Sequence, residues 1–285
     1  MDSHPGFATD LLFDRYQGEV SQHPGFATDL LFDRYQGEVS QHPGFWAVRT
    51  PSAPDYYFGN YLLLNTAPSD RDKGWLEQSF DLLVARDAGL RHRTFQWPLA
   101  EGQNSRVAGF VATGYQYMEC VVLTLTSDRL IAPPARPELT VRPLAASEWA
   151  DWLALELEER EPDYPAERYL AYLENRQRLY QAMIADGLGD WWGLWHGSEL
   201  VASCGLFFTA SQGRFQLVRT RRAWRNQGCC KQLLARVATQ GLARVPSLVI
   251  VADEQYHAQK VYRDLGFTPR ARIASLCRWP RDEAI

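Results

Sequence analysis

Seven consecutive residues, Arg225-Asn226-Gln227-Gly228-Cys229-Cys230-Lys231, have the types and spacing to hold an anion. They follow a strand-like run and precede a helical stripe, so they form a turn at a helix start. Backbone N–H groups there have no partner inside the helix and converge on a phosphate. Gly228 keeps a Cβ out of the way, and Arg225 and Lys231 add positive charge. The two thiols allow a second chemistry: a helix start lowers a thiol pKa, which would make Cys229 or Cys230 a nucleophile. Against it, Cys230, Leu233, Leu234 and Val237 follow helical spacing, so Cys230 also reads as a small core residue. A second group lies in Gln255 to Phe267. Tyr262 shares a helical face with Ala258, Val261 and Leu265, a position that suits plain core packing. Gln255 either caps that helix or offers its amide to a ligand. His196 and His257 are candidate bases whose turn and helix-surface positions also suit solvated side chains.

The elements that must position these groups are readable from periodicity. Phe215 to Thr220 is a strand, Gly228 to about Thr239 a helix, Leu248 to Ala252 a buried strand, and Gln255 to Leu265 a helix closed by Gly266. Before them, Leu139 to Leu144 is a strand and Ser147 to Arg160 a helix with Trp149, Trp152, Leu153, Leu155 and Leu157 on its apolar side. A second helix follows Pro165. Trp191 to Trp195 and Leu200 to Phe208 form a hairpin about His196-Gly197-Ser198-Glu199. The order is β-α-α-β-β-β-α-β-α-β, an α/β (α+β) mixed sheet. Residues 131–137, rich in proline, read as a linker. The first half alternates as well: Phe45 to Thr50, Tyr56 to Leu64, a helix from Lys73 to Ala88, Arg93 to Leu99 and Cys120 to Thr126.

His4 to Gln22 and His23 to Gln41 are identical at every position, and a third His-Pro-Gly-Phe follows at 42–45. Two identical copies followed by non-repeating sequence indicate a duplication and not a solenoid. Within each copy Leu11, Leu12, Tyr16 and Val20, or Leu30, Leu31, Tyr35 and Val39, have helical spacing, with Thr9-Asp10 and Thr28-Asp29 as caps. One copy is expected to dock as a helix. The other is an extension, a tail or a swapping arm, so a homodimer is among the states allowed.

Composition narrows the class. The chain has 285 residues, 46% apolar and 22% charged, enough for two domains. Lys plus Arg total 30 against 34 Asp plus Glu, a net charge of −4, which supplies no basic field for nucleic acid. A mean hydropathy of −0.35 and short apolar runs argue against a membrane partner. Met1 to Thr9 lacks the apolar core of an export signal, and five cysteines without a C-x-x-C pair fit a reducing, cytoplasmic setting and no metal site.

With these residues in place, Glu138 to Trp279 resembles the GNAT acetyltransferase superfamily in element order and in two patterns. Arg225, Gly228 and Cys230 occupy the positions of Q/R-x-x-G-x-G/A, with Cys230 in place of Gly or Ala. Residues 255–267 match N-x-x-A-x-x-L-Y-x-x-L-G-F, with Gln255 replacing Asn and Val261 replacing Leu. The separation of the two patterns makes the resemblance specific.

The resemblance implies acetyl-CoA as co-substrate. Its pyrophosphate would sit on Arg225 to Lys231 and its pantetheine arm would pair with the backbone of about Val218 and Thr220, between two splayed parallel strands. An amine, small-molecule or peptide, would attack the thioester directly in a ternary complex, with Tyr262 protonating the departing thiolate. The acids Glu156, Glu158, Glu159, Glu161 and Asp163 lie where the family builds its acceptor pocket; they suggest a cationic acceptor or are a solvated face. The first half, without R-x-x-G-x-G/A, looks similar to the latter part of a degenerate second unit, as in tandem GNAT proteins. The expected organisation is a duplicated segment at 1–41, a degenerate domain at 42–130, the linker, and a GNAT domain at 138–285. A CoA-binding regulatory module without turnover, or transfer of another acyl or aminoacyl group, stays open.

Overall fold

The computed structural model describes residues 22–86, 90–100, 102, 105–158, 160, 165–253 and 258–279. Its contacts divide the chain into two units, Met1–Val122 with Ala271–Ile285, and Leu123–Arg270. The sequence expectation cut the chain at 131–137 instead. Those prolines do not leave the second unit: Ile131 N–H donates to Leu265 O at 3.0 Å, Arg136 Nη1 to Gln227 O at 2.6 Å, and Gln232 Nε2 to Pro134 O.

The first unit contains helix α1 (Pro24–Gln36), strands β1 (Glu38–His42), β2 (Phe45–Arg49) and β3 (Tyr61–Leu64), helix α2 (Lys73–Phe80), strand β4 (Arg93–Pro98), the short helix α3 (Ala108–Val111) and most of β5 (Gln116–Leu125). The greater part of the last strand, β11 (Thr268–Arg278), returns to it, giving the order β1-β2-β3-β4-β11-β5. Strands β3 and β4 are parallel, joined through α2. Leu62, Leu64, Leu76, Phe80, Phe95, Trp97 and Phe110 form the core beneath that crossover. Each such side chain contributes roughly 1.5–3 kcal/mol by leaving water.

Three expectations for this unit need correction. The helical stripe of the duplicated segment was extended to Val39, but α1 ends at Gly37 and Val39 lies in β1, paired with Val48. A Cβ at Gly37 would strike the backbone of Arg49, so the chain turns there into a hairpin. The cap is His23, whose ring accepts from Phe26 N–H, while the expected cap Thr28 turns its hydroxyl back to Pro24 O. The helix expected up to Ala88 is α2 followed by one wider turn, Asp81–Ala85; Arg86, at φ 29°, interrupts it, and 87–89 lie outside the described residues.

The second unit follows the expected order: β6 (Leu139–Pro143), α4 (Trp149–Glu158), α5 (Ala166–Ala185), β7 (Gly189–His196), β8 (Glu199–Phe208), β9 (Gln212–Thr220), α6 (Cys229–Leu242), β10 (Ser247–Asp253) and α7 (Ala258–Asp264). Its strands run β10-β9-β8-β7-β6, antiparallel except for the β9–β10 pair. Trp152, Trp191, Tyr180 and Phe207 pack where α4 and α5 meet the sheet. Leu233, Leu234 and Val237 bury the core side of α6. Both units are thus mixed α/β structures. Among the described residues no helix is long and apolar enough to cross a membrane.

Candidate functional site

The site starts from a failure of pairing. Parallel β9 and β10 are in register at Gln212/Ser247, Gly213/Leu248 and Arg214/Val249, and the ladder goes no further although both strands continue. The two strands therefore diverge, and the β10-facing edge of β9 from Phe215 to Thr220 is open for an added strand. On its other edge, β9 carries a bulge. Between Ser203/Arg219 and Gly205/Gln216 the register advances two residues on β8 and three on β9, and Leu217 takes φ 40°. A positive φ at a branched residue is a strained conformation, held here by pairing on both sides.

Where β9 ends, the chain makes a 3-10 turn at Arg222–Trp224 and enters α6. Asn226 (φ 58°) and Gly228 (φ 77°, ψ 1°) are left-handed, and Gly228 is the cap residue of α6. No side chain caps this helix, no acid occupies its first turn, and a Cβ on Gly228 would meet nothing within 4 Å. The first N–H groups of α6 thus face an open space.

That space is a cavity of about 700 Å³ lined by β9, the turn, the first turn of α6, and α7. It brings together nine of the residues singled out in the sequence: Val218, Thr220, Arg225, Asn226, Gly228, Cys229, Cys230, Lys231 and Tyr262. Gln227 is not on its wall; its side chain donates to Ala223 O at 2.6 Å. Gln255 and His257 lie outside the described residues. The sequence reading had not included Arg219, Trp224, Lys260, Val261 and Asp264, which also line it. Lys260, Val261 and Asp264 fall within the 255–267 pattern without having been assigned a role, whereas Arg219 and Trp224 lie on β9 and the turn after it, where no local pattern marks them.

Electrostatically the wall is cationic, with Arg219, Arg225, Lys231 and Lys260 against the single carboxylate of Asp264. Lys231 Nζ stands 2.7 Å from Asp264 Oδ2, and this hydrogen bond holds the Asp264 carboxyl below its usual range. Arg225 Nε donates to Thr220 O at 3.2 Å, tying the turn to the end of β9. Tyr262 is 6% exposed, its ring against Phe267 and its side chain on the cavity wall.

Neither thiol is activated by its surroundings. Burial pushes Cys230 up to about 12, only partly opposed by its hydrogen bond to Thr220, and burial likewise raises Cys229 against the influence of nearby Arg136. A thiol raised this far stays protonated at neutral pH. Of the two, Cys229 is the core residue, 1% exposed. His196 is exposed at the β7 end with its ring 4.9 Å from that of Trp224. In the acidic cluster, Glu156 is fully buried on Arg219 and Glu158 lies 2.5 Å from Arg221 Nη1, so these two carboxylates are engaged by arginines of β9 and its turn. Glu159, Glu161 and Asp163 are outside the described residues. Among the described residues no group of three or more His, Cys, Asp or Glu is placed to hold a metal ion.

A splayed parallel pair, a bulge beside it and an uncapped helix start at its end make up the site. Residues 157–272 match the family model described as Acetyltransferase (GNAT) domain, and the second unit is a GNAT acetyltransferase domain. Solved structures agree at the level of fold. A functionally unknown conserved protein from Staphylococcus epidermidis is 13% identical with a TM-score of 0.72, over 87% of this chain and 96% of that one. A GCN5-related N-acetyltransferase from Kribbella flavida is 14% identical, TM-score 0.64, over 90% and 95%. A tandem GNAT protein from the clavulanic acid biosynthesis pathway is 16% identical, TM-score 0.50, over 78% and 74%. No curated protein matches the chain in sequence.

Proposed function

We propose that the second unit binds acetyl-CoA and transfers its acetyl group to an amine by direct attack in a ternary complex. The observation that carries this reading is the divergence of β9 from β10 beyond Arg214/Val249, opening straight onto the uncapped start of α6. The pantetheine arm would pair with the open edge at Val218 and Thr220. The pyrophosphate would lie against the N–H groups of Gly228 to Lys231, with Arg225, Lys231 and Lys260 offsetting its charge. The donor's acyl group would then lie by the Leu217 bulge, where the register change leaves backbone N–H groups without their regular ladder partners to polarise the carbonyl. Tyr262 is the residue on the cavity wall suited to protonate the thiolate that leaves.

Cys230 in place of Gly or Ala narrows the phosphate turn without closing it, since the cavity includes both cysteines. The first unit acts as a partner domain without a donor site of its own. We place the protein in the cytoplasm. Calorimetric titration with acetyl-CoA and with free CoA, followed by CoA release over a panel of amines, tests the proposal. Donor binding with release on one amine class supports it; the absence of any binding overturns it, and binding without release on any amine identifies a regulatory CoA module.

A further inference from the structure

Three observations meet at Arg219. It stands on the part of β9 that β10 does not pair, two positions past the bulge, and lines the cavity. Its Nε donates to Glu156 Oε2 at 3.1 Å, yet the two ends of this pair differ in exposure: 32% for the Arg219 side chain and 0% for Glu156. Ser203, directly opposite Arg219 in the β8–β9 register, is fully buried, and its hydroxyl has no hydrogen-bond partner among the described residues. The ion pair is therefore oriented, with its carboxylate in the interior and its guanidinium on the cleft wall. Arg221, the next arginine along the chain, makes the contrast. It is held by Glu158 and by Leu200 O, and does not line the cavity.

Resting on the acetyl-CoA reading above, we propose that Arg219 binds a carboxylate of the acceptor, so that the substrate class is amines that also bear a carboxylate. The phosphates are served by cations at the helix start and on α7, whereas Arg219 flanks the bulge, where the acyl group and the attacking nitrogen must meet. An arginine presents a planar fork matched to a carboxylate, and a buried anion behind it fixes the plane of that fork. Glu156 is then a positioning residue, acting on the acceptor only through Arg219. Such a site disfavours polycationic acceptors, one of the two alternatives the acidic cluster left open in sequence.

The test compares amino acids with their primary amides as acceptors, for the wild type and for Arg219→Gln, Arg219→Lys and Glu156→Gln, with acetyl-CoA affinity measured by calorimetry on each. The wild type is expected to prefer the acid over the amide by about tenfold or more in kcat/KM. Arg219→Gln should bring that ratio close to one, mainly through KM, with acetyl-CoA binding retained. Arg219→Lys, which keeps charge but not the fork, should recover only part of the preference, and it preserves the test if removal of the buried partner in Glu156→Gln prevents folding. Equal use of acids and amides by the wild type, an unchanged ratio in Arg219→Gln, or acetyl-CoA binding with no transfer to any carboxylate-bearing amine would overturn the proposal while leaving the donor site standing. Loss of acetyl-CoA binding in the wild type itself is the separate result that removes the underlying reading.

Discussion

Each unit contains a strand-turn-helix-strand crossover between parallel strands, and the two turns treat the helix start in opposite ways. In the first unit, β3 leads through Ser69 and a 3-10 turn at Asp70–Asp72 into α2. Asp72 Oδ2 accepts from Ser69 N–H at 2.7 Å and from Ser69 Oγ at 2.8 Å, and Asp70 Oδ1 accepts from Gly109 N–H at 2.7 Å. That helix start carries its own anions. Neither helix has a side-chain cap, but in the second unit the 3-10 turn Arg222–Trp224 has no acid and a left-handed glycine lines a cavity at the helix start. The macrodipole is the same in both. The two starts differ in whether the sequence supplies the negative charge, and under the proposed function the donor's pyrophosphate supplies it at α6.

The strongest way to break the contrast is to give the second turn an acid. Gly228→Glu places a carboxylate at the donor seat and a side chain at φ 77°, and acetyl-CoA affinity should fall by at least about 100-fold, roughly 2.7 kcal/mol. Gly228→Asn, which tolerates the left-handed region, should lose about tenfold or less. Calorimetry on both decides; equal, small losses would show that phosphate does not sit there. Next in size is Tyr262→Phe. With the hydroxyl gone and the ring retained, kcat should drop by about 10²-fold while acetyl-CoA affinity stays the same. An unchanged kcat would assign the ring to packing alone.

How much of this was legible in sequence follows from the range of the interaction involved. The α6 turn was visible because glycine, charge and helical stripe are neighbours in the chain. The Leu217 bulge was invisible, since it exists only as a count of β9 against β8. The acids Glu156 and Glu158 were plain, but their arginine partners lie 63 positions away, so neither alternative, a cationic acceptor or a solvated face, took in this pairing. The repeated His-Pro-Gly-Phe shows the same limit locally. At 23–26 it starts α1, with His23 as cap; at 42–45 it makes the β1–β2 turn, with Gly44 at φ 84°. Ala-Thr-Asp-Leu-Leu follows one, Trp-Ala-Val-Arg the other, and the strand pairing of the latter decides.

A smaller effect tests the first unit's side of the comparison. Asp72→Ala removes the acceptor of Ser69 N–H and of Trp75 Nε1, and should cost about 1 kcal/mol in stability. The backbone hydrogen bond from Ser69 holds the Asp72 carboxyl below its unfolded value of 3.8. The wild-type advantage should therefore be complete above that pH and shrink as pH falls through the folded pKa. Chemical denaturation of both proteins across that range measures it, and a gap independent of pH would mean that the carboxylate charge does not matter. Acetyl-CoA affinity should not change.

The smallest effect expected is that of deleting His4–Gln22, and it compares two segments of identical sequence. The described docking contacts belong to the second copy. Phe26, Leu30 and Phe32 are buried, His23 Nε2 stands 3.2 Å from Arg272 O, and Tyr61 OH donates to the buried Asp33 Oδ2 at 2.7 Å. Burial, with the nearby Asp33 charge and this bond, raises the Tyr61 pKa. Removing this hydroxyl by Tyr61→Phe should cost about 1 kcal/mol. Deleting the first copy should shift Tm by about 1 °C or less, since the seat keeps an occupant of the same sequence tied directly to β1. A fall of about 4 °C or more on deletion would show that position in the chain does not make the two copies unequal, and that the fold uses both.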